Sequence, residues 1–216
     1  MSRSKLIGLY GGAFDPVHNA HIQIANNCIN EIGLDKLVLL PTGRSAFNKP
    51  LTPAIHRLAM LNLAFKGSSF EISNLEIEDA KNSVGSSYTI DTMKYFFSRD
   101  INTYFFIIGT DALASINKWR NWNEILNYCH LLVINRFDDD IYSHQWHPEI
   151  RKLIDINSTT QKKILRANRN GFIYNISMPK IDIASNLIKN SIQKKLNIDL
   201  MIPNAVKRYI YEHGLY

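Results

Sequence analysis

Cysteine is scarce in this 216-residue chain: only Cys28 and Cys129, far apart and each among apolar neighbours. Such a pair cannot build a disulfide scaffold, and both thiols read as buried, reduced and inert. Cys129 precedes His130, but neighbours in a strand face opposite ways, which rules out a nucleophile–base pair. No apolar run approaches the ~18 residues that span a bilayer. The start, Met1-Ser2-Arg3-Ser4-Lys5, is basic but lacks the apolar stretch and small-residue cleavage site of a secretory signal. A cytoplasmic protein with no membrane partner is expected. The chain also has no three-glycine dinucleotide fingerprint, no glycine–lysine phosphate loop, no internal repeat and no low-complexity tract.

What is present suits one well-cored domain spanning residues 1–216: 45% of residues are hydrophobic and 20% charged. The net charge of +6 implies polyanionic partners but does not separate nucleic acid from phosphorylated metabolites. Short β-rich runs alternate with longer helical patterns. Strands are predicted at 5–11, 36–41, 69–74, 103–109, 129–135 and 172–176. Helices are predicted at 20–32, 53–66, 88–98, 111–116, 183–195 and 203–213. This alternation signals an α/β protein with a parallel sheet covered on both faces. Leu37-Val38-Leu39-Leu40 and Tyr104-Phe105-Phe106-Ile107-Ile108 are continuously apolar, as doubly covered strands should be. Residues 137–171, with the acidic run Asp138-Asp139-Asp140, read as an insertion or a helical excursion at the sheet edge.

Residues 8–21 carry the strongest functional signal. An apolar strand runs into Gly11 and Gly12, then a turn at Asp15-Pro16, then His18 and His21 near a helix start. Glycines without Cβ let a ligand approach the backbone. The strand's carboxyl end and the helix's amino end converge where open α/β sheets bind nucleotides and where free amides favour phosphate. Histidines at i and i+3 share a face and can donate jointly to phosphate oxygens. Zinc is the competing use, but no third ligand lies nearby in sequence. His144, Trp146 and His147 likewise lack a cysteine or acidic partner at ligand spacing, so no metal site is read from them.

The segment Gly11-Gly12-Ala13-Phe14-Asp15-Pro16-Val17-His18-Asn19-Ala20-His21 resembles the nucleotidylyltransferase signature Gly-x-Phe-Asp-Pro-x-His-x-Gly-His, with Ala20 in place of its second glycine. That superfamily has a Rossmann-like, doubly wound parallel sheet, here expected as a single domain with C-terminal helices. Further segments resemble the bacterial nicotinate-nucleotide adenylyltransferases: Ser87-Tyr88-Thr89-Ile90-Asp91-Thr92, Ile108-Gly109-Thr110-Asp111-Ala112-Leu113, Trp119-Arg120 with Trp122 and Glu124, and the tail His213-Gly214-Leu215-Tyr216. The resemblance implies transfer of the adenylyl group of ATP to nicotinate mononucleotide, with Mg2+ accompanying ATP and no nucleic acid as partner. Related acceptors (the amide nucleotide or phosphopantetheine), cytidylyl transfer, and a non-catalytic nucleotide- or nucleic-acid-binding module are the alternatives. Monomer and homodimer both stay open.

The residues themselves agree with this. Thr89 opens a helix whose hydroxyl and first amides can hold a carboxylate. Trp119 offers a flat face to a ring, whereas Trp122 is expected to pack in the core. Asp111, just past the strand ending at Gly109, can accept from ribose hydroxyls. The resemblance assigns Thr89, Trp119, Arg120 and Arg136 to the nicotinate nucleotide. To ATP it assigns Gly11, Gly12, Ala13, Phe14, Gly109, Asp111, Ile183 and Ser185. His18, His21, Lys49 and Lys189 are the candidates for contacting the triphosphate during catalysis. Two departures accompany these assignments. The loop Phe47-Asn48-Lys49 keeps a cation but loses the family's histidine. The segment Ile183-Ala184-Ser185-Asn186-Leu187-Ile188-Lys189 puts lysine where the family pattern ends in arginine, a point charge in place of a bidentate fork.

Overall fold

The computed structural model describes residues 4–44, 50–67, 70–82, 87–136, 141, 145–179 and 181–216. Within these, six strands form one sheet: β1 (Leu6–Gly12), β2 (Lys36–Pro41), β3 (Phe70–Ile72), β4 (Thr103–Gly109), β5 (His130–Arg136) and β6 (Ile173–Met178). Their order is β3-β2-β1-β4-β5-β6 and every neighbouring pair is parallel. Parallel neighbours need crossover connections, and helices supply them. α1 (Asn19–Ile32), α2 (Ala54–Ala64), α3 (Leu75–Asn82), α4 (Thr89–Arg99) and α5 (Thr110–Leu113) precede two 3-10 turns, Ile116–Lys118 and Trp122–Asn127. α6 (Pro148–Asn157) and α7 (Lys162–Ala167) lie between β5 and β6, while α8 (Ser185–Gln193) and α9 (Asn204–Glu212) follow β6. This is the doubly wound, Rossmann-like architecture that the strand–helix alternation implies.

The apolar strands bury both faces, and the two-residue period sorts their side chains into two cores. Leu6, Tyr10, Leu37, Leu39, Phe105 and Ile107 pack with α1, α2, α8 and α9 through residues such as Cys28, Met60, Ile188 and Val206. The alternate residues Ile7, Leu9, Val38, Leu40, Phe106 and Ile108 pack with α4 and α6 through Met93, Ile150 and Ile154. Both cysteines are buried and free. No helix among the described residues is long and apolar enough to cross a membrane.

Several boundaries follow from local chemistry. α1 ends at Gly33, whose left-handed φ of 72° lets its N–H bond back to the Ile29 carbonyl at 2.8 Å. Pro148 opens α6, where a proline lacks only an amide that would go unpaired anyway. Residues 137–171 contain the β5–β6 crossover, with Ile150, Ile154 and Leu165 fully buried. The helices α3, α6 and α7 are additions to the predicted elements.

Candidate active site

Strand order reverses between β1 and β4, and the connections of these two strands leave on opposite faces. A crevice therefore opens beyond their carboxyl ends. Two cavities occupy it, of about 660 Å3 and 220 Å3, and they share Tyr10, Ile107, Ile108 and Gly109.

The smaller cavity is lined by His18, Ala20, His21, Asp111, Asn135 and Ile183, among others. Ala20 is thus part of its wall, where a larger side chain would occupy ligand space. His18 stands at the N-cap of α1, and its backbone N–H donates to His21 Nδ1 at 3.2 Å. That bond puts the proton of a neutral His21 on Nε2. The two rings stack with centroids 3.6 Å apart, and the His21 ring also meets Phe14 edge-on at 4.9 Å. His18 is 6% exposed, yet its Nδ1 has no hydrogen-bond partner among the described residues. A buried polar atom left unpaired costs about 1–3 kcal/mol, and the adjoining cavity gives it a place for a ligand oxygen. Phe14 holds a left-handed φ of 48°, while Gly11 and Gly12 do not. The glycines instead provide closeness: a Cβ on Gly11 would lie 3.2 Å from the Phe106 ring.

Burial lowers the pKa of His18 to about 4, with its backbone hydrogen bond opposing. Burial, and then the neighbouring His18, hold His21 well below its ordinary value. Burial also lowers His130, whose ring accepts the Phe172 N–H and faces the Asn168 carbonyl. A histidine harder to charge when folded favours unfolding once protons bind. Stability is therefore full above the unfolded pKa near 6.5 and falls as pH drops from there toward 4. Each such group contributes a slope of up to about 1.4 kcal/mol per pH unit. Thermal melts from pH 7.5 to 4.5 should show a falling midpoint that begins near pH 6.5. A flat profile over that interval would contradict neutral, buried imidazoles.

Behind the histidines lies a polar network that joins the predicted Lys189 to residues the sequence reading did not single out. Asp15 is 3% exposed, and its Oδ2 accepts from Lys189 Nζ at 2.7 Å and from the Thr52 N–H at 3.1 Å. Its Oδ1 accepts from the Tyr216 hydroxyl at 2.6 Å. Burial opposes ionisation of Asp15, but these donors together outweigh it and hold the carboxyl below its usual range. Arg57 is 1% exposed and donates to the carbonyls of Thr52, Ala13 and Thr42 at 2.8–2.9 Å. Burial lowers its pKa, and the carboxylates Asp15 and Glu76 counter that effect. The sequence signal for Arg57 is a cation in the middle of an otherwise apolar face of α2.

The larger cavity gathers Thr89, Trp119 and Arg120 with Gly11, Gly12 and Glu76. α4 begins at Thr89 and so turns its N-terminal amides to this side. Trp119 leans edge-on against Phe106 at 6.4 Å, and Arg120 lies over the Tyr88 ring at 4.8 Å. Trp122 packs partly buried against the same core, as expected. Glu76, on the unpredicted α3, accepts from the Thr92 hydroxyl at 3.1 Å. Burial pushes its pKa up to about 7 against that bond and one from the Gly43 amide. Gly43 sits so close that an added Cβ would lie 1.8 Å from the Glu76 carbonyl oxygen, so only glycine fits.

Other predicted residues are placed as follows. Gly109 borders both cavities and Asp111 the smaller one. Arg136 ends β5 at the same edge of the sheet. The Ser185 hydroxyl donates to the Pro16 carbonyl at 3.1 Å, which leaves the amides of α8 as the donors at that helix start. Lys189 reaches Asp15 rather than standing alone. Lys49 and His144 lie outside the described residues.

A reversed parallel sheet with two cavities at its switch point, one walled by a histidine-capped helix, defines a Rossmann-like nucleotide-binding protein. The cytidylyltransferase-like family model matches residues 9–190. Proteins named "Probable nicotinate-nucleotide adenylyltransferase" are similar over almost their whole length. The one from Clostridium kluyveri is 32% identical, covering 96% of this chain and 97% of its own. That of Buchnera aphidicola from Acyrthosiphon pisum is 34% identical, covering 98% and 97%. The chain belongs to the nicotinate-nucleotide adenylyltransferase branch of the cytidylyltransferase-like family. In fold it matches the Plasmodium falciparum nicotinic acid mononucleotide adenylyltransferase complexed with NaAD, with a TM-score of 0.75 at 22% identity over 98% of this chain and 97% of the other.

Proposed function

We propose that the chain joins the adenylyl group of ATP to nicotinate mononucleotide in the cytoplasm, releasing pyrophosphate and the deamidated dinucleotide of NAD biosynthesis. The observation that carries this reading is the pair of cavities meeting at Tyr10, Ile107, Ile108 and Gly109. Such a pair is suited to holding two nucleotides end to end.

A phosphate oxygen of the mononucleotide attacks the α-phosphorus of ATP. The new P–O bond forms as the bond to pyrophosphate breaks, so no protein nucleophile is needed. Alignment can supply roughly 7–11 kcal/mol of the barrier in favourable cases. Charge neutralisation at the leaving oxygens supplies the rest. In this reading His18 and His21 donate to the triphosphate, aided by the α1 and α8 amides, Lys189 and Lys49. Asp111 accepts from the adenosine ribose, while Gly11, Gly12 and Gly109 let the nucleotide lie against the backbone. Thr89 and the α4 amides hold the nicotinate carboxylate, Trp119 stacks on its ring, and Arg120 and Arg136 belong to the acid-nucleotide side.

Mg2+ fits as a companion of the triphosphate. No group of three or more His, Cys, Asp or Glu is placed to hold a metal among the described residues, and Asp15 is engaged by three donors. Bound together with ATP, the ion would supply charge neutralisation at the phosphate oxygens.

Pyrophosphate release with ATP plus nicotinate mononucleotide, set against its amide, tests the assignment. The acid should be preferred by roughly tenfold or more, since only it offers the α4 N-terminus a carboxylate. Equal rates would move the specificity elsewhere, and no release with either would overturn the enzyme reading.

A further inference from the structure

We propose that Tyr216 is a positioning residue that braces Lys189 at the triphosphate site, acting through the lysine and through Asp15. The proposal rests on Lys189 being a triphosphate contact.

The geometry is a three-cornered clamp. Lys189 Nζ lies 2.7 Å from Asp15 Oδ2 and 4.7 Å from the centre of the Tyr216 ring, while the Tyr216 hydroxyl donates to the other oxygen of the same carboxylate at 2.6 Å. The ring therefore flanks the ammonium and the hydroxyl fixes its counter-ion. Gly214, at a left-handed φ of 58°, turns the chain back after α9, and the Leu215 N–H bonds the Ile210 carbonyl at 3.0 Å. That turn packs Leu215 and Tyr216 against the core beneath the β1–α1 loop.

The clamp sits behind the loop that leads into His18, through Asp15 of that loop. Lys189 lies one turn after Ser185 on α8, and Ser185 is tied to the Pro16 carbonyl of the loop that leads into His18. An ammonium has three protons, and Asp15 takes one, which leaves donors for a phosphate oxygen. Lysine is a point charge on a flexible stem, and ordering it costs rotamer entropy that a rigid guanidinium fork partly avoids. An aromatic face plus a fixed carboxylate meets that cost before ATP arrives. The lysine in place of the expected arginine then needs no fork of its own.

Steady-state kinetics of Tyr216→Leu, Tyr216→Phe, Lys189→Ala and the double variant Lys189→Ala/Tyr216→Leu test this, with a thermal melt of each. Tyr216→Leu should lower kcat/KM for ATP roughly tenfold, the scale of a partly desolvated cation–π contact, and leave KM for the mononucleotide nearly unchanged. Tyr216→Phe keeps the ring and should recover part of the loss. The double variant should be no slower than Lys189→Ala, because the brace has nothing left to hold. Losses that multiply in the double variant would overturn the proposal. So would a Tyr216→Leu enzyme with parental kinetics, or one whose two KM values rise together. Should Tyr216→Leu fail to fold, Tyr216→Phe decides alone, in parental and Lys189→Ala backgrounds: the hydroxyl's loss must cost activity only where Lys189 is present. A fully active Lys189→Ala variant would instead remove the triphosphate role of the lysine, an outcome distinct from failure of the brace.

Discussion

Replacing His21 with alanine is expected to lower turnover roughly 100- to 1,000-fold while the chain still folds, the scale seen when one preorganised donor to a developing charge is removed. The backbone N–H of His18 occupies Nδ1 of His21, so the free donor is Nε2–H, at the wall of the smaller cavity. Alanine removes that donor, the ring that stacks on His18 and its edge contact with Phe14 at the rim of the first core, while the sheet pairing and the second core make no contact with it. The assay is pyrophosphate release at saturating ATP and mononucleotide, with far-UV circular dichroism as the folding control. A folded variant with near-parental turnover would refute the role given to this histidine.

Arg57→Ala should have the largest effect on stability. The guanidinium binds three carbonyls from three places: Ala13 after β1, Thr42 after β2, and Thr52 before α2. Alanine leaves all three carbonyls short of a donor inside a buried space that the long side chain had filled. The expected loss is about 3–5 kcal/mol, since each unpaired buried group costs about 1–3 kcal/mol and the carbonyls relax in part. For a domain of this size that lowers the melting midpoint by roughly 10 °C. Arg57→Lys should fall between, because one ammonium cannot span the three directions of a fork. A melting midpoint for Arg57→Ala within about 2 °C of the parent would show that the loops hold each other without it.

Much of this was legible in the chain before folding is considered. Continuous apolar runs at 37–40 and 104–108 specify strands covered on both faces, and they are β2 and β4. The glycine–proline–histidine segment places a strand end and a helix start at one point, and β1 and α1 meet there. Helix ends at Gly33 and starts after Pro53 and Pro203 obey backbone chemistry that acts within a few residues. One helix, α3, escaped, and α6 and α7 fall within the stretch read only as an insertion or a helical excursion. α3 is short and acidic and buries fully only Ile77, too little periodicity to stand out. α6 did carry a signal, Pro148 followed by Ile150, Leu153 and Ile154, but an acidic run and a polar segment flank it.

Motif residues and their spacing are local properties, and local sterics, capping and apolar period decide them within one or two turns of chain. The partners of Asp15 are of another kind. Thr52, Lys189 and Tyr216 are drawn from three distant parts of the chain, and no periodicity links them. The same holds for Arg57, whose carbonyl partners become neighbours only because the β1 and β2 loops emerge side by side at the carboxyl end of the sheet. Protonation states belong there too, since His18 and Glu76 are shifted by burial that arises only when the cores close. The short range of backbone chemistry makes the chemical parts readable from order alone, whereas desolvation and long-range pairing exist only once the chain has packed.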